Sequence, residues 1–170
     1  ELLEELSKAG IREEQITVVF ALGSHRVHTR EEQKKLVGDE VYDRVRCVDS
    51  AKEGFVHVGV TSFGTPVDID PVVAEADVRI CVGNIEFHYF AGYSGGAKAI
   101  MPGVSTRAAI QENHSRMVLE EAKAGNLLGN PLRQDIEEAA AMVGVDFILN
   151  VVLDEEKQIV KAVAGDLRKA

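Results

Sequence analysis

Residues 78–103 read VRICVGNIEFHYFAGYSGGAKAIMPG, and the order of features along them decides the fold. The run over 78–83, VRICVG, has the length and β-branched content of a short buried strand. It leads through Asn84, Ile85, Glu86, Phe87 and His88 into three adjacent small residues, Ser94-Gly95-Gly96, and a helix is expected at about 95–101. A strand, a glycine-rich loop and a helix in that order are the parts of an α/β sheet in which at least some strands run parallel.

The flanks repeat the alternation. Leu2, Leu3, Leu6 and Ala9 recur at helical spacing, with Gly10 as a stop. Residues 16–22, ITVVFAL, form a second buried strand that ends at Gly23. Thr29 with Glu32 makes a capping box that opens a helix to about Leu36, closed by Gly38. Short strands are expected at 45–48 and 55–60, a turn at Gly64 to Pro66, and a brief helix from Pro71. Downstream, a helix is expected over 106–123. A second starts with Asn130 as cap and Pro131 in its first turn, and runs to about Val143. It carries Asp135, Glu137 and Glu138, with an inward stripe of Leu132, Ile136, Ala139 or Ala140, and Val143. Strands at 146–153 and 158–164 flank the acidic turn Asp154-Glu155-Glu156. The pattern predicts one α/β domain over 1–170, a layered, at least partly parallel sheet with helices on both faces, Rossmann-like in type. No repeat, low-complexity tract or internal linker interrupts it.

Composition narrows the class. The chain has 170 residues, 45% of them hydrophobic and 28% charged, as in globular proteins that bury a core. A formal charge of −9 argues against a nucleic-acid surface. No apolar run reaches the roughly 18 residues of a membrane span. The acidic start, ELLEELSKAG, is no secretory signal and reads as the middle of something longer. Cys47 and Cys81 lie far apart in apolar runs, which suits two free thiols in a reducing cytoplasm.

Chemistry concentrates at two strand ends. The 16–22 strand runs into Gly23-Ser24-His25-Arg26, and the 78–83 strand runs toward His88 and the Ser94-Gly95-Gly96 turn. In α/β sheets ligands sit beyond the carboxyl ends of strands, so both loops are expected on one rim. Small residues let a backbone approach a ligand, and N–H groups at a helix start favour an anion. Lys98 adds either a fixed charge or, if desolvated, a nucleophilic amine. The segment is no P-loop, because Ala97 precedes and Ala99 follows the lysine; nor is it Ser-x-x-Lys, because Lys98 stands four residues after Ser94. His114, in Glu112-Asn113-His114, is a third candidate beside His25 and His88. His28 lies in a polar loop and His57 alternates along a strand, and both read as ordinary surface residues. Three histidines and a lysine suit a zinc hydrolase with an open metal position, though His-Glu-x-x-His is absent. They equally suit one metal-binding histidine and two that flank a substrate as acid and base.

These stretches together resemble the nickel-dependent lactate racemase family. The resemblance is carried by Ala21 to Arg26, Gly64-Thr65-Pro66-Val67, the whole of His88 to Gly103, Asn113-His114, Gly129-Asn130-Pro131 and Asp146 to Leu153, spread over nearly all of the chain. It implies a nickel-pincer nucleotide, a pyridinium mononucleotide whose ring binds nickel through carbon and two sulfur arms. Lys98 would hold that cofactor covalently, beside Ser94, Gly95 and Gly96. His114 would complete the nickel coordination, and His25 and His88 would be the acid–base pair. A soft donor set with one imidazole suits nickel. The implied reaction is racemisation or epimerisation of a small, lactate-like 2-hydroxy acid, with cofactor-synthesis proteins as partners. The alternative is a nucleotide- or metal-binding α/β module that racemises nothing. The resemblance departs at Val48-Asp49, where the family has a His-Asp pair. Family chains are longer, so this one is expected to be the core of the cofactor-binding domain of a two-domain protein, inactive by itself.

Overall fold

The computed structural model describes residues 1–169. Its first half comprises α1 (Leu2–Lys8), β1 (Thr17–Phe20), α2 (Arg30–Val37), α3 (Asp39–Arg44), β2 (Arg46–Asp49), β3 (Val56–Val60), β4 (Pro66–Ile69) and α4 (Pro71–Ala74). The second half adds β5 (Ile80–Asn84), β6 (Phe87–His88), β7 (Gly92–Tyr93), α5 (Arg107–His114), α6 (Pro131–Val143), β8 (Phe147–Leu153) and β9 (Ile159–Gly165).

The result is a mixed α/β fold with two parallel strand pairs. β1 pairs with β2 through the α2–α3 crossover, Thr17 opposite Arg46 and Phe20 opposite Asp49. β5 pairs with β8, Gly83 opposite Asn150, after a crossover that contains α5 and α6. Parallel neighbours require such crossovers, because a tight turn can only reverse the chain. β9 closes the second sheet antiparallel to β8. β3–β4 and β6–β7 are separate antiparallel pairs. Among the described residues the strands thus fall into four hydrogen-bonded sets.

Local signals explain the helices. The Thr29 hydroxyl accepts the Glu32 N–H at 3.3 Å, and the Glu32 carboxylate accepts the Thr29 N–H at 2.8 Å, completing the expected box. Asn130 caps α6 by accepting the Arg133 N–H at 3.2 Å, with Pro131 in the first turn. Leu132, Ile136, Ala139 and Ala140 then bury one face of α6 in a core shared with Val67, Ile69, Cys81, Met101 and Ile148. Burial pushes the Cys81 thiol up to about 11, so this cysteine is core and no nucleophile.

Five features differ from the sequence expectation, the short antiparallel β6–β7 pair within the expected loop being one. Pro66 opens a strand instead of closing a turn, since proline is tolerated at a strand's first position and Val67 and Ile69 both point into the core. α3 follows Gly38 directly, and no helix was expected there. The helix expected over 106–123 stops at His114 and gives way to a 3₁₀ turn at Ser115–Val118. Side chains take the Glu112 carbonyl that the next turn would use, Ser115 Oγ at 2.7 Å and Arg116 at 2.6 Å. The 95–101 stretch is a single 3₁₀ turn, Gly96–Ala99, entered through Gly95 and Gly96 at φ 75° and 54°.

Asp135 is buried completely among the inward residues of α6. Its carboxylate accepts from the Thr61 and Thr65 hydroxyls at 2.6 and 2.7 Å and from the Asn113 amide at 2.7 Å, with the Arg116 guanidinium at 3.5 Å. A buried carboxylate is stable only when so surrounded. The cluster fixes the end of α5, and with it His114, against α6 and the β3–β4 turn.

Candidate active site

β1 delivers the first loop. Gly23, at φ 56°, turns the chain, and its N–H donates to the Gly103 carbonyl at 2.7 Å. The His25 N–H returns to Leu22 O at 2.9 Å, and the Lys52 ammonium donates to the His25 carbonyl at 2.9 Å. These contacts hold the backbone and leave the His25 side chain exposed. Beyond it, His28 is more than an ordinary loop residue. Its Nδ1 lies 2.7 Å from Asp49 Oδ1, and its N–H donates to Asp49 Oδ2 at 2.7 Å. Asp49 at the end of β2 therefore has a histidine partner, supplied by position 28 instead of 48.

β5 delivers the second loop. The Ser94 hydroxyl donates to Asn84 O at 2.8 Å and accepts the Glu86 N–H at 2.8 Å, while the Ser94 N–H reaches Glu86 O at 2.9 Å. The returning chain is thus latched to the strand it left. Gly95 packs so closely that a Cβ there would stand 3.1 Å from Asn84 O and 3.4 Å from the Asn150 amide. Lys98 follows, half-buried and paired with no carboxylate among the described residues. Burial, with the nearby Arg133 guanidinium, lowers its amine to about 8. Arg133 is itself held by Glu137 at 2.8 Å and by the Tyr93 carbonyl at 3.0 Å.

His88 and His114 complete the arrangement from two sides of Phe90, whose ring meets both edge-on, at 4.5 and 5.0 Å between centroids. Burial first, then the charge of Lys98, lowers His88 to about 4. His114 is lowered by the same two causes. Both imidazoles are thus shifted toward the neutral form. His114 Nδ1 is buried and meets no hydrogen-bond partner of good geometry among the described residues, although the Ile110 carbonyl acts on the ring against the lowering.

One cavity of about 600 Å³ joins these parts, in the size range of small-molecule sites. His25, His88, Gly95, Gly96, Lys98 and His114 line it, together with Asn84, Tyr89 and Met117. Ser94 stands behind the wall and braces it. No carboxylate lines the cavity among the described residues. His57 is elsewhere, exposed on β3 and 2.6 Å from Asp68. Among the described residues no three His, Cys, Asp or Glu side chains converge at metal-binding spacing, so the three histidines form no zinc-hydrolase ligand set. The arrangement can hold an anion, offer a partly neutral amine for a covalent bond, and present neutral imidazoles for proton transfer or metal ligation. Arg133 was missed in the sequence, since an arginine in the first turn of a helix carries no mark of what it faces. No helix of the described residues is long and apolar enough to cross a membrane.

Comparison with known proteins gives the same direction. The family model of the lactate racemase N-terminal domain matches residues 1–126. The lactate racemase of Lactiplantibacillus plantarum is 38% identical over 160 residues, which cover 91% of this chain and 38% of that protein. The lactate racemase of Thermoanaerobacterium thermosaccharolyticum is 35% identical over 174 residues, covering 99% of this chain and 41% of that one. The structure of its apoprotein superposes with a TM-score of 0.88 at 34% identity, over 92% of this chain and 39% of that chain. A Thermotoga maritima protein shares the fold, with a TM-score of 0.79 at 23% identity, over 96% of this chain and 44% of that one. The chain thus spans about two fifths of the length of the relatives it matches. By sequence and by fold, it belongs to the family of the lactate racemase N-terminal domain.

Proposed function

We propose that this chain is the cofactor-binding part of a racemase or epimerase of a small 2-hydroxy acid. The observation that carries the reading is the single cavity in which His25, His88, Lys98 and His114 meet without an opposing carboxylate. The donor set fits a nickel-pincer nucleotide. Among the described residues Lys98 has no ion-pair partner, and its amine, lowered to about 8, is open to a covalent link. Burial and the Lys98 charge shift His114 toward its neutral form, the form that ligates a metal. Gly95 and Gly96 present bare backbone to the cavity. Ser94 keeps that wall in place.

When bound, this cofactor supplies the acceptor that takes a hydride from the substrate carbon and returns it. The chain does the rest. His25 and His88 flank the substrate and manage the hydroxyl proton as the carbon becomes planar. Lys98 and the absence of acids from the cavity wall among the described residues favour a carboxylate substrate. The Phe90 ring separates the proton-handling side at His88 from the metal side at His114. We read the two parallel strand pairs as parts of one layered, Rossmann-like arrangement, which the placement of both loops at strand carboxyl ends supports. Cofactor-synthesis proteins are the partners this chemistry needs, and free Cys47 and Cys81 suit a reducing cytoplasm.

The test is peptide mapping by mass spectrometry of the full-length protein, made in a host that builds the cofactor, beside chiral chromatography of enantiopure 2-hydroxy acids. The expected result is a covalent mass on the Lys98 peptide, nickel lost in His114→Ala, and turnover of one or more hydroxy acids. An unmodified Lys98 in active protein removes the attachment. A loaded protein that turns over nothing leaves the binding module alone.

A further inference from the structure

Lys98 carries the only side-chain amine on the cavity wall among the described residues. It is half-buried, and among those residues its ammonium makes neither an ion pair nor a side-chain hydrogen bond. Its neighbours along the wall, Gly95, Gly96 and Ala99, bring no polar side chain. A cation withdrawn from water without a partner is costly, and a ligand that supplies one is favoured there. The amine is also a nucleophile open to the cavity, and burial makes it easier to deprotonate than a surface lysine.

The surroundings select among the electrophiles that such an amine can take. Carbon dioxide is the wrong one. A carbamate would replace the positive charge with a negative one, and no other lysine or arginine lines the cavity to meet it. A neutral aldehyde or ketone keeps the charge, as an iminium, but brings nothing to pair with it. A 2-oxo acid keeps the charge and sets its own carboxylate on the carbon of the new C=N bond.

We propose that Lys98, when it carries no cofactor, is a covalent site for a small 2-oxo acid, held as a protonated imine. This site goes beyond the racemase reading and stands without it. The Lys98 nitrogen, as free amine, attacks the keto carbon. A C–N bond forms, and the π pair of the C=O bond moves to oxygen, which takes a proton. The nitrogen lone pair then closes the C=N bond as the C–O bond breaks and water leaves. Ammonium and 2-oxo acid thus become iminium and water, with no oxidant, reductant or other reagent consumed. His25 and His88 line the same cavity, and their imidazoles can relay protons between nitrogen, oxygen and solvent. A bound 2-oxo acid and a covalently attached cofactor then exclude each other at this amine.

The test uses full-length protein made in a host without the cofactor. It is incubated with pyruvate and reduced with sodium cyanoborohydride, and its peptides are mapped by mass spectrometry. Reduction fixes the imine as a secondary amine that adds the mass of pyruvic acid less one oxygen. The Lys98 peptide is expected to carry this mass at an occupancy on the order of tenfold above that of exposed lysine side chains, which stay protonated at neutral pH. With acetone, which has the ketone and lacks the carboxylate, that preference should fall several-fold. Lys98→Arg should remove the label from this peptide, and mapping of the unaltered protein reads the site even if that variant does not fold. Label spread evenly over the lysines overturns the proposal. An undiminished preference with acetone overturns the choice of a 2-oxo acid. Either failure leaves the racemase reading standing, because that reading is tested on cofactor-loaded protein.

Discussion

Ser24 and Ser94 each follow the carboxyl end of a parallel strand, in the two loops that face each other across the cavity. Ser24 is exposed and makes no hydrogen bond among the described residues, and the loop around it is steadied by side chains: Asp49 on His28, Glu32 on Arg26, Lys52 on the His25 carbonyl. Ser94 binds the main chain at Asn84 and Glu86, and Gly95 after it is wedged against Asn84 and Asn150. The contrast shows where desolvation is applied. His25 stays in water on a loop that side chains hold. Lys98, His88 and His114 belong to the packed side, where burial moves all three toward their neutral forms.

The two loops meet at Gly103, whose carbonyl takes the Gly23 N–H. A Cβ there would overlap the Ala99 carbonyl and stand 2.8 Å from the Ala21 methyl. Gly103→Ala is therefore expected to have the largest effect, destabilising by about 3 kcal/mol, because backbone cannot move aside as a flexible side chain can. Urea unfolding checks this, and a loss below about 1 kcal/mol would mean that the joint is looser than its geometry. The paired serines give a smaller, sharper test. Ser94→Ala should cost about 1–2 kcal/mol, since it removes both a donor and an acceptor from the latch. Ser24→Ala should stay within about 0.5 kcal/mol. Equal effects at the two positions would end the contrast between a packed and a side-chain-held loop.

The smallest expected effect is in pH. Burial holds His88 near 4 in the folded chain against an ordinary 6.5. Between those values the unfolded chain binds the extra proton and the folded chain does not, so stability rises as pH goes from about 4 to 6.5 and is lost on acidification. For a half-buried ring, solvent screening leaves about 1 kcal/mol of this. The measurement is the difference in unfolding free energy between the unaltered protein and His88→Gln across that window. A flat difference would show that the ring is wetter than its surroundings indicate.

What the sequence disclosed follows from what is local. The Thr29–Glu32 box, the Asn130–Pro131 start and the β-branched runs act over a few residues, and each formed the element expected of it. His25, His88 and Lys98 were found by their types and their places after strands, and His114 by its type on the following helix; the structure brings them to one cavity. What stayed hidden depends on partners distant in the chain. Asp135 looks like any acidic helix residue until Thr61 and Thr65, some 70 positions away, turn their hydroxyls to it. His28 likewise reads as loop until β2 brings Asp49 beside it. The β4 strand was overlooked because Pro66 drew attention to the turn, although Val67 and Ile69 already alternate as a half-buried strand must.

The missing carboxylates of the cavity have a consequence for how ligands arrive. The chain carries a net charge of −9, so an approaching anion is repelled at a distance, yet at the cavity wall it meets Lys98 with no acid beside it. The two forces have different ranges. At physiological ionic strength the Debye length is about 8 Å, so salt quenches the distant repulsion and spares most of the short-range attraction. Capture of an anionic ligand should therefore quicken on going from very dilute buffer to physiological salt, the reverse of the slowing seen when a protein steers its ligand by opposite net charge. The acidic exterior works as a filter that ionic strength opens, and the cavity as a place where an anion gains by staying.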